Sequence, residues 1–344
     1  MKILILSHGD AAALEASYGR AFAALGHEVT VLNPMPRLEA DPMWRHRAAR
    51  RLFERAILAR HNAAWFDEVA AVPADLTFVA KGTWALPGFW RRYKAARPGT
   101  VLVCINADDP LTTYSRGANR RWITESIGTF DLYSTYKSAL VAPLLRAGAR
   151  RVVRIPFAWD PDLHPPSPAG GGPDLVFVGN ADAHREAFLT AIVDHPAAAA
   201  WRIEVHGLWP RVASPALRAA IRPGQLTGAA MARCVASARL ALNIMRRQNE
   251  GAHNMRTFET AGCGGLMASQ YSAEQHAVFP AGEAAVYFAD AGEAVAVLAA
   301  ALAEPERLAV MRVRAGAIVA QHTYVARARQ LLAAAEGVTL KAAA

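Results

Sequence analysis

Between Leu240 and Ser269 the chain sets cationic, amide and acidic side chains around the start of a helix. A buried-strand run ends at Arg246-Arg247 and a polar loop carries Glu250-Gly251. A helix is then expected from about Met255 to Ala261, opening near His253-Asn254, with Arg256 and Glu259 in its first turns. The unpaired N–H groups of a helix N-terminus carry about half a positive charge and suit a diphosphate. A carboxylate just inside the helix can grip a vicinal diol with two hydrogen bonds. Together these devices fit a nucleotide-sugar, with Arg246, Arg247 or Arg256 for the phosphates and Glu259 for the ribose. The run Gly262-Cys263-Gly264-Gly265 then ends the helix and turns it into the next strand.

Other candidate groups follow strands elsewhere. His8-Gly9-Asp10 comes after the first strand, where glycine lets backbone approach a ligand; a tight turn is the plainer alternative. Lys81-Gly82 ends another strand in the same layer, and the lysine either meets an anionic acceptor or donor phosphate or is simply solvated. Asp108-Asp109-Pro110 reads as a helix N-cap with proline in the first turn, or as an aspartate that orients an acceptor or serves as general base in an inverting enzyme. A metal-binding acidic motif of a one-domain fold would leave the second half of the chain unexplained. Arg185, early in a helix of the second half, is a phosphate clamp or a surface arginine. His253 and Glu250 lie in the polar loop, in reach of a sugar or solvated.

These groups need a scaffold, and the chain reads as two alternating α/β halves. Its 344 residues, 53% hydrophobic and 19% charged, can bury two cores. Strands are expected at Lys2 to Ser7, Glu28 to Leu32, Leu76 to Lys81, Val101 to Asn106, Asp131 to Tyr136 and Val152 to Phe157. After a Pro- and Gly-rich stretch they resume at Leu175 to Val178, Ile203 to Val205, Leu240 to Ile244, Leu266 to Ser269 and Ala285 to Phe288, with helical patterns between. Such alternation implies parallel sheets covered on both faces.

The net charge of +9 favours anionic partners. The arginines between Arg45 and Arg60 scatter around a helical wheel and are expected on a solvated helix. Cys104, Cys234 and Cys263 show no zinc spacing and read as structural thiols of a reducing compartment. The longest apolar run, Ala294 to Ala303, is too short to span a bilayer. The expected location is cytoplasmic, with peripheral contact at the inner membrane face left open. No dinucleotide, P-loop, nucleophile-elbow or zincin motif is present.

The segment NMRTFETAGCGG resembles the donor-site signature of GT-B glycosyltransferases, in particular the branch of CgeB-like spore-maturation proteins. Leu175 to Asn180 with Arg185, Ala107 to Pro110, Gly148 to Val152 and Ile155 to Pro161 are similar to that branch as well. The resemblance implies two Rossmann-like domains facing across a cleft, divided as 1–160, a linker 161–173, 174–322, and a final helix 323–344 that crosses back to the first domain. It implies a nucleotide-diphosphosugar held by the second domain through Gly179, Asn180, Arg185, Arg246, Glu250, His253, Asn254, Arg256 and Glu259. Gly9, Lys81 and Asp108 would face the acceptor, a glycan, lipid, protein or small molecule, with His8 and Asp109 as catalytic candidates. Glu259 matches the ribose-binding glutamate of a pair with seven intervening residues. The same count backwards reaches Gly251, so Glu250 departs from the pattern by one position. Transfer of a sugar with retention, without cofactor, metal or nucleic acid, is the expected activity. A nucleotide-sugar epimerase and a non-catalytic nucleotide-sugar-binding protein are the alternatives.

Overall fold

The computed structural model describes residues 1–112 and 120–342. The chain divides into two compact units, one formed by Met1–Pro156 with the chain from Val325 onward, the other by Phe157–Tyr324.

The first unit is a parallel sheet of β1 (Lys2–Leu6), β2 (Glu28–Leu32), β3 (Leu76–Ala80), β4 (Val101–Asn106), β5 (Leu132–Thr135) and β6 (Val152–Arg154), in the order β2-β1-β3-β4-β5-β6. β3 and β4 are buried on both faces, which is why both read as nearly continuous apolar runs, whereas the edge strand β2 is largely accessible. The chain steps from β1 to β2 on one side and to β3 on the other. The crevice between the carboxyl ends of β1 and β3 is therefore the topological switch point, where ligands of open α/β sheets bind.

β6 stops at Arg154, short of the expected Phe157, because Pro156 has no N–H for the ladder. The first helix is Leu14–Ala24 rather than one starting at Ala11, since Asp10 turns the chain by accepting from the N–H groups of Ala12 (2.9 Å) and Ala13 (3.0 Å). The basic stretch forms the helices Pro42–Arg45 and Arg47–Ala71. The longer one buries apolar side chains only from Ile57 onward, through Ile57, Leu58, Trp65, Phe66 and Val69, while Arg45, Arg47, Arg50, Arg51 and Arg55 are exposed as expected. Trp65 packs edge-on to Trp84 at 4.9 Å, and Trp84 contacts Trp90 at 5.2 Å, under the loop that follows β3. In the helix Tyr324–Ala342, Arg327 donates from Nε to the Pro156 carbonyl at 3.1 Å.

The second unit is a parallel sheet of β7 (Leu175–Val178), β8 (Ile203–His206), β9 (Leu240–Asn243), β10 (Met267–Gln270) and β11 (Val286–Phe288), in the order β11-β10-β9-β7-β8. Its switch point lies between β7 and β9. Residues 161–173, whose prolines and glycines suggest a linker, are instead folded onto this unit. Trp159 donates to the His164 carbonyl (2.7 Å), Ser167 N to Cys263 O (2.9 Å) and Gly172 N to Ser237 O (3.1 Å). Prolines deny regular structure but do not prevent docking by isolated hydrogen bonds. The boundary therefore falls between Pro156 and Phe157 rather than after residue 160. Among the described residues no helix is long and apolar enough to cross a membrane.

Candidate active site

In the second unit the loops after β7 and β9 meet through Arg185. Asp182 caps the helix Ala183–Val193 by accepting from Arg185 N (2.9 Å), which starts the helix beside the sheet edge. The Arg185 guanidinium donates to Ile244 O (3.1 Å) beyond β9 and to Asn180 O (3.2 Å) beyond β7, and stands 5.4 Å from the centre of the Phe177 ring. Burial pushes its pKa down to about 10, helped by the positive charges of Arg246 and Arg256 and opposed by Asp182. The three arginines therefore form one electropositive cluster at the β7/β9 switch point. Arg246 also faces Asp182, at 3.7 Å.

Gly179 and Asn180 are fastened in the same loop. Gly179 N donates to His206 O at 2.9 Å, and Asn180 Oδ1 accepts from Leu208 N (3.0 Å) and Gln225 Nε2 (3.1 Å). Asn254 is the N-cap of the helix Met255–Gly262, in a reciprocal capping box with Thr257. Its amide also donates to Asn243 Oδ1 at 2.7 Å, and Asn243 and Thr257 both donate to Gln275 Oε1 (3.1 and 2.8 Å). This buried polar network locks the helix N-terminus against the end of β9.

Glu259 lies one turn inside, only 5% exposed, accepting from Arg256 Nη1 at 2.8 Å. Its other oxygen is 3.7 Å from Nδ1 of His164, a residue that sequence reasoning passed over. No local signal marks His164. It arrives because Trp159, which donates to the His164 carbonyl, lies flat against Gly262, where the ring leaves no room for a Cβ. Glu250 is an exposed loop carboxylate. His253, expected to reach a sugar from the loop, is 2% exposed and held on both sides of its ring. Nδ1 sits 2.9 Å from Glu274 Oε2, and Nε2 accepts from Phe157 N at 3.2 Å. Burial has turned this imidazole into a strut of the loop.

In the first unit the switch point carries His8. Its Nδ1 is 3.4 Å from Glu15 Oε1 and its Nε2 3.1 Å from Thr83 Oγ1, so it bridges the loops after β1 and β3. Gly9 has φ +79°, and a Cβ there would collide with the Asn33 amide, which donates to His8 O (3.1 Å). Lys81 has φ +58°, among the described residues the one non-glycine in the left-handed region, and its ammonium pairs with Asp108 at the end of β4. Asn62 holds the same loop by donating to Trp84 O (2.9 Å) and accepting from Leu86 N (2.8 Å). A strained backbone so over-determined by its surroundings is a mark of functional loops.

Asp109 is 7% exposed and accepts from Leu111 N at 2.9 Å. The expected helix does not open there, since residues 110–112 form a turn and the next described helix is Arg121–Ser126. Sequence reasoning also missed Glu15 and Thr83, whose partnership with His8 depends on strand order.

Burial alone would raise the Glu15 pKa, but hydrogen bonds from the His8 ring and from nearby backbone N–H groups hold it below its ordinary 4.5. A carboxyl depressed in the folded state adds stability above the unfolded value, and loses it as pH falls through the lowered one. Glu15→Gln should therefore flatten the acid limb of the stability curve below pH 4.5. Urea unfolding at a series of pH values checks this; a variant curve that stays parallel to the wild type would refute it.

Comparison with known proteins bears on this arrangement. Residues 185–333, spanning Arg185 to Glu259 and beyond, match the family described as Glycosyl transferase-like. No curated protein sequence matches the chain. Among solved structures, sucrose-phosphate synthase from Thermosynechococcus elongatus superposes with TM-score 0.69 at 16% identity, covering 100% of both chains. HepE of Anabaena in complex with UDP-glucose gives 0.64 at 13%, over 98% of this chain and 99% of that one. A trehalose-6-phosphate synthase studied for glycosyl transfer with retention gives 0.63 at 10%, over 97% and 99%. The fold is that of the GT-B glycosyltransferases.

Proposed function

We propose that the protein transfers a sugar from a nucleotide-diphosphosugar to a hydroxyl acceptor, with retention at the anomeric carbon and without a metal at the reacting centre. The observation that carries this reading is the cluster of Arg185, Arg246 and Arg256 at the β7/β9 switch point, beside a capped helix N-terminus that holds Glu259. Three cations and a helix dipole gathered around a crevice suit a leaving diphosphate. The family match over this segment, and the UDP-glucose and UDP complexes of HepE, support a nucleotide-sugar donor. The motif likeness to the CgeB-like branch supports the same reading.

In this mechanism the arginines and helix N–H groups neutralise the diphosphate as its bond to the sugar breaks. A diphosphate oxygen takes the acceptor proton on the same face, so no protein nucleophile is required. Arg256 hands Glu259 over to the ribose diol when donor binds. Within the first unit, His8, steadied by Glu15 and Thr83, is assigned to acceptor binding together with Gly9 and the Lys81–Asp108 pair, and Asp109 fixes the turn at Leu111. His253 and Asn254 hold the donor loop in place.

A panel of nucleotide-sugars in a thermal-shift assay identifies the donor, because a ligand bound only by the native state raises the midpoint. Incubation of that donor with hydroxyl acceptors, read by proton NMR, should then give a product that keeps the donor's anomeric configuration. Epimerised donor, or binding without turnover, would overturn the assignment. With the diphosphate charge already compensated by arginines, turnover is expected to survive excess EDTA. Complete loss on chelation, restored by Mg²⁺ or Mn²⁺, would show that a metal carries that charge instead.

A further inference from the structure

We propose that Glu204, His206 and Cys234 form a binding site for a zinc-class divalent cation that pins the edge strand β8 to the helix Gly228–Ser237. Glu204 and His206 stand two apart on β8 and therefore project from the same face of the sheet. In register beside them on β7 are Val176 and Val178. Both valines pack in the apolar cluster beneath the helix Gly228–Ser237, as does Cys234. The strand pair and the helix thus bring a carboxylate, an imidazole and a thiol to one point, with one ligand atom of each lying within 4.8 Å of the others.

The imidazole is the second, independent observation. His206 is only 8% exposed, yet neither ring nitrogen makes a hydrogen bond, although Nε2 lies 3.5 Å from Glu204 Oε2. A buried polar group without a hydrogen-bond partner is destabilising, and a metal bond to one nitrogen supplies what the fold does not. The other carboxylate oxygen of Glu204 is steadied by Arg222 Nε at 3.6 Å, which leaves Oε2 for the metal.

Sulfur, nitrogen and oxygen together select a borderline-soft ion over Mg²⁺ or Ca²⁺. Tetrahedral zinc with bonds of roughly 2.0–2.3 Å sets its ligand atoms about 3.5 Å apart, so the three need only a modest side-chain adjustment. Three protein ligands leave a fourth position for water. This inference does not rest on the transferase reading: the ion would brace β8, whose His206 carbonyl accepts from Gly179 N.

The test uses the full chain, stripped with chelator, dialysed and titrated with Co²⁺. One equivalent should bind with a thiolate-to-cobalt absorption in the near ultraviolet, displaced by Zn²⁺. Cys234→Ser, a near-isosteric change, should abolish the band, and His206→Ala should weaken Co²⁺ binding at least about 100-fold. Zn²⁺ should raise the thermal midpoint of the wild type and leave that of Cys234→Ser unchanged. Absence of a cobalt band in the wild type, or a band that persists in Cys234→Ser, would overturn the proposal.

Discussion

Replacing Glu259 by alanine should weaken binding of the parent nucleoside diphosphate on the order of 10- to 150-fold, the equivalent of roughly 1.5–3 kcal/mol for charge-assisted hydrogen bonds to a ribose. In the structure the carboxylate is 5% exposed and satisfied by Arg256. It is thus held ionised and oriented within the first turns of the helix, and donor binding exchanges the Arg256 contact for the ribose. The same geometry separates a ribose role from a structural one. Inorganic pyrophosphate carries the diphosphate charge but no diol, so its affinity should be unchanged or higher in the variant, where Arg256 is freed. Folding should survive, since Arg256 is partly exposed and can find water. Calorimetric titration with both ligands decides the matter. Equal loss for nucleotide and pyrophosphate would reassign Glu259 to holding Arg256, and no loss for either would remove it from the site.

Arg185→Met should produce the complementary pattern, weakening nucleoside diphosphate and pyrophosphate alike by about 10- to 150-fold, as befits one charge-assisted phosphate contact. The depression of this guanidinium to about 10 marks a cation that the ligand-free fold holds against burial and two neighbouring positive charges. Loss of hydration is the larger part of that depression, and repulsion from Arg246 and Arg256 adds to it, so the cation is held under electrostatic tension. A bound diphosphate relieves that tension, so the rise in thermal midpoint caused by ligand should shrink in the variant. The protein without ligand loses two hydrogen bonds to backbone carbonyls but also sheds the tension, and its own midpoint should move much less. Arg185→Lys keeps a point charge but cannot span Ile244 O and Asn180 O together, and should fall between the two. A wild-type affinity for pyrophosphate in Arg185→Met would refute the clamp.

Much of the scaffold was legible in the residues because its causes are local. β2, β4, β7 and the helix Gly228–Ser237 lie where hydrophobic period and Gly or polar punctuation put them, residue for residue. Asn254 caps the helix Met255–Gly262 through bonds to a residue three positions on, and such short-range chemistry needs no knowledge of the fold. The cationic and acidic residues around that helix pointed to a diphosphate and a diol for the same reason.

What joins distant segments was decided only in three dimensions. Strand order brings the loop after β7 beside the loop after β9, so that Arg185 meets Ile244, 59 residues away. In the first unit it brings Thr83 to His8, 75 residues away. His253 shows how a residue's own sequence position misleads. A histidine in a polar loop reads as accessible, but Phe157, 96 residues earlier, takes one nitrogen, and Glu274 faces the other. The proline-rich segment folds onto the second unit through single hydrogen bonds that no periodicity announces. Glu204, His206 and Cys234 converge although their spacing matches no metal motif, because two come from a strand face and one from the helix packed over it. Periodicity records which side of an element is buried. The neighbour it is buried against depends on sheet order, which the amino-acid pattern of each element does not encode.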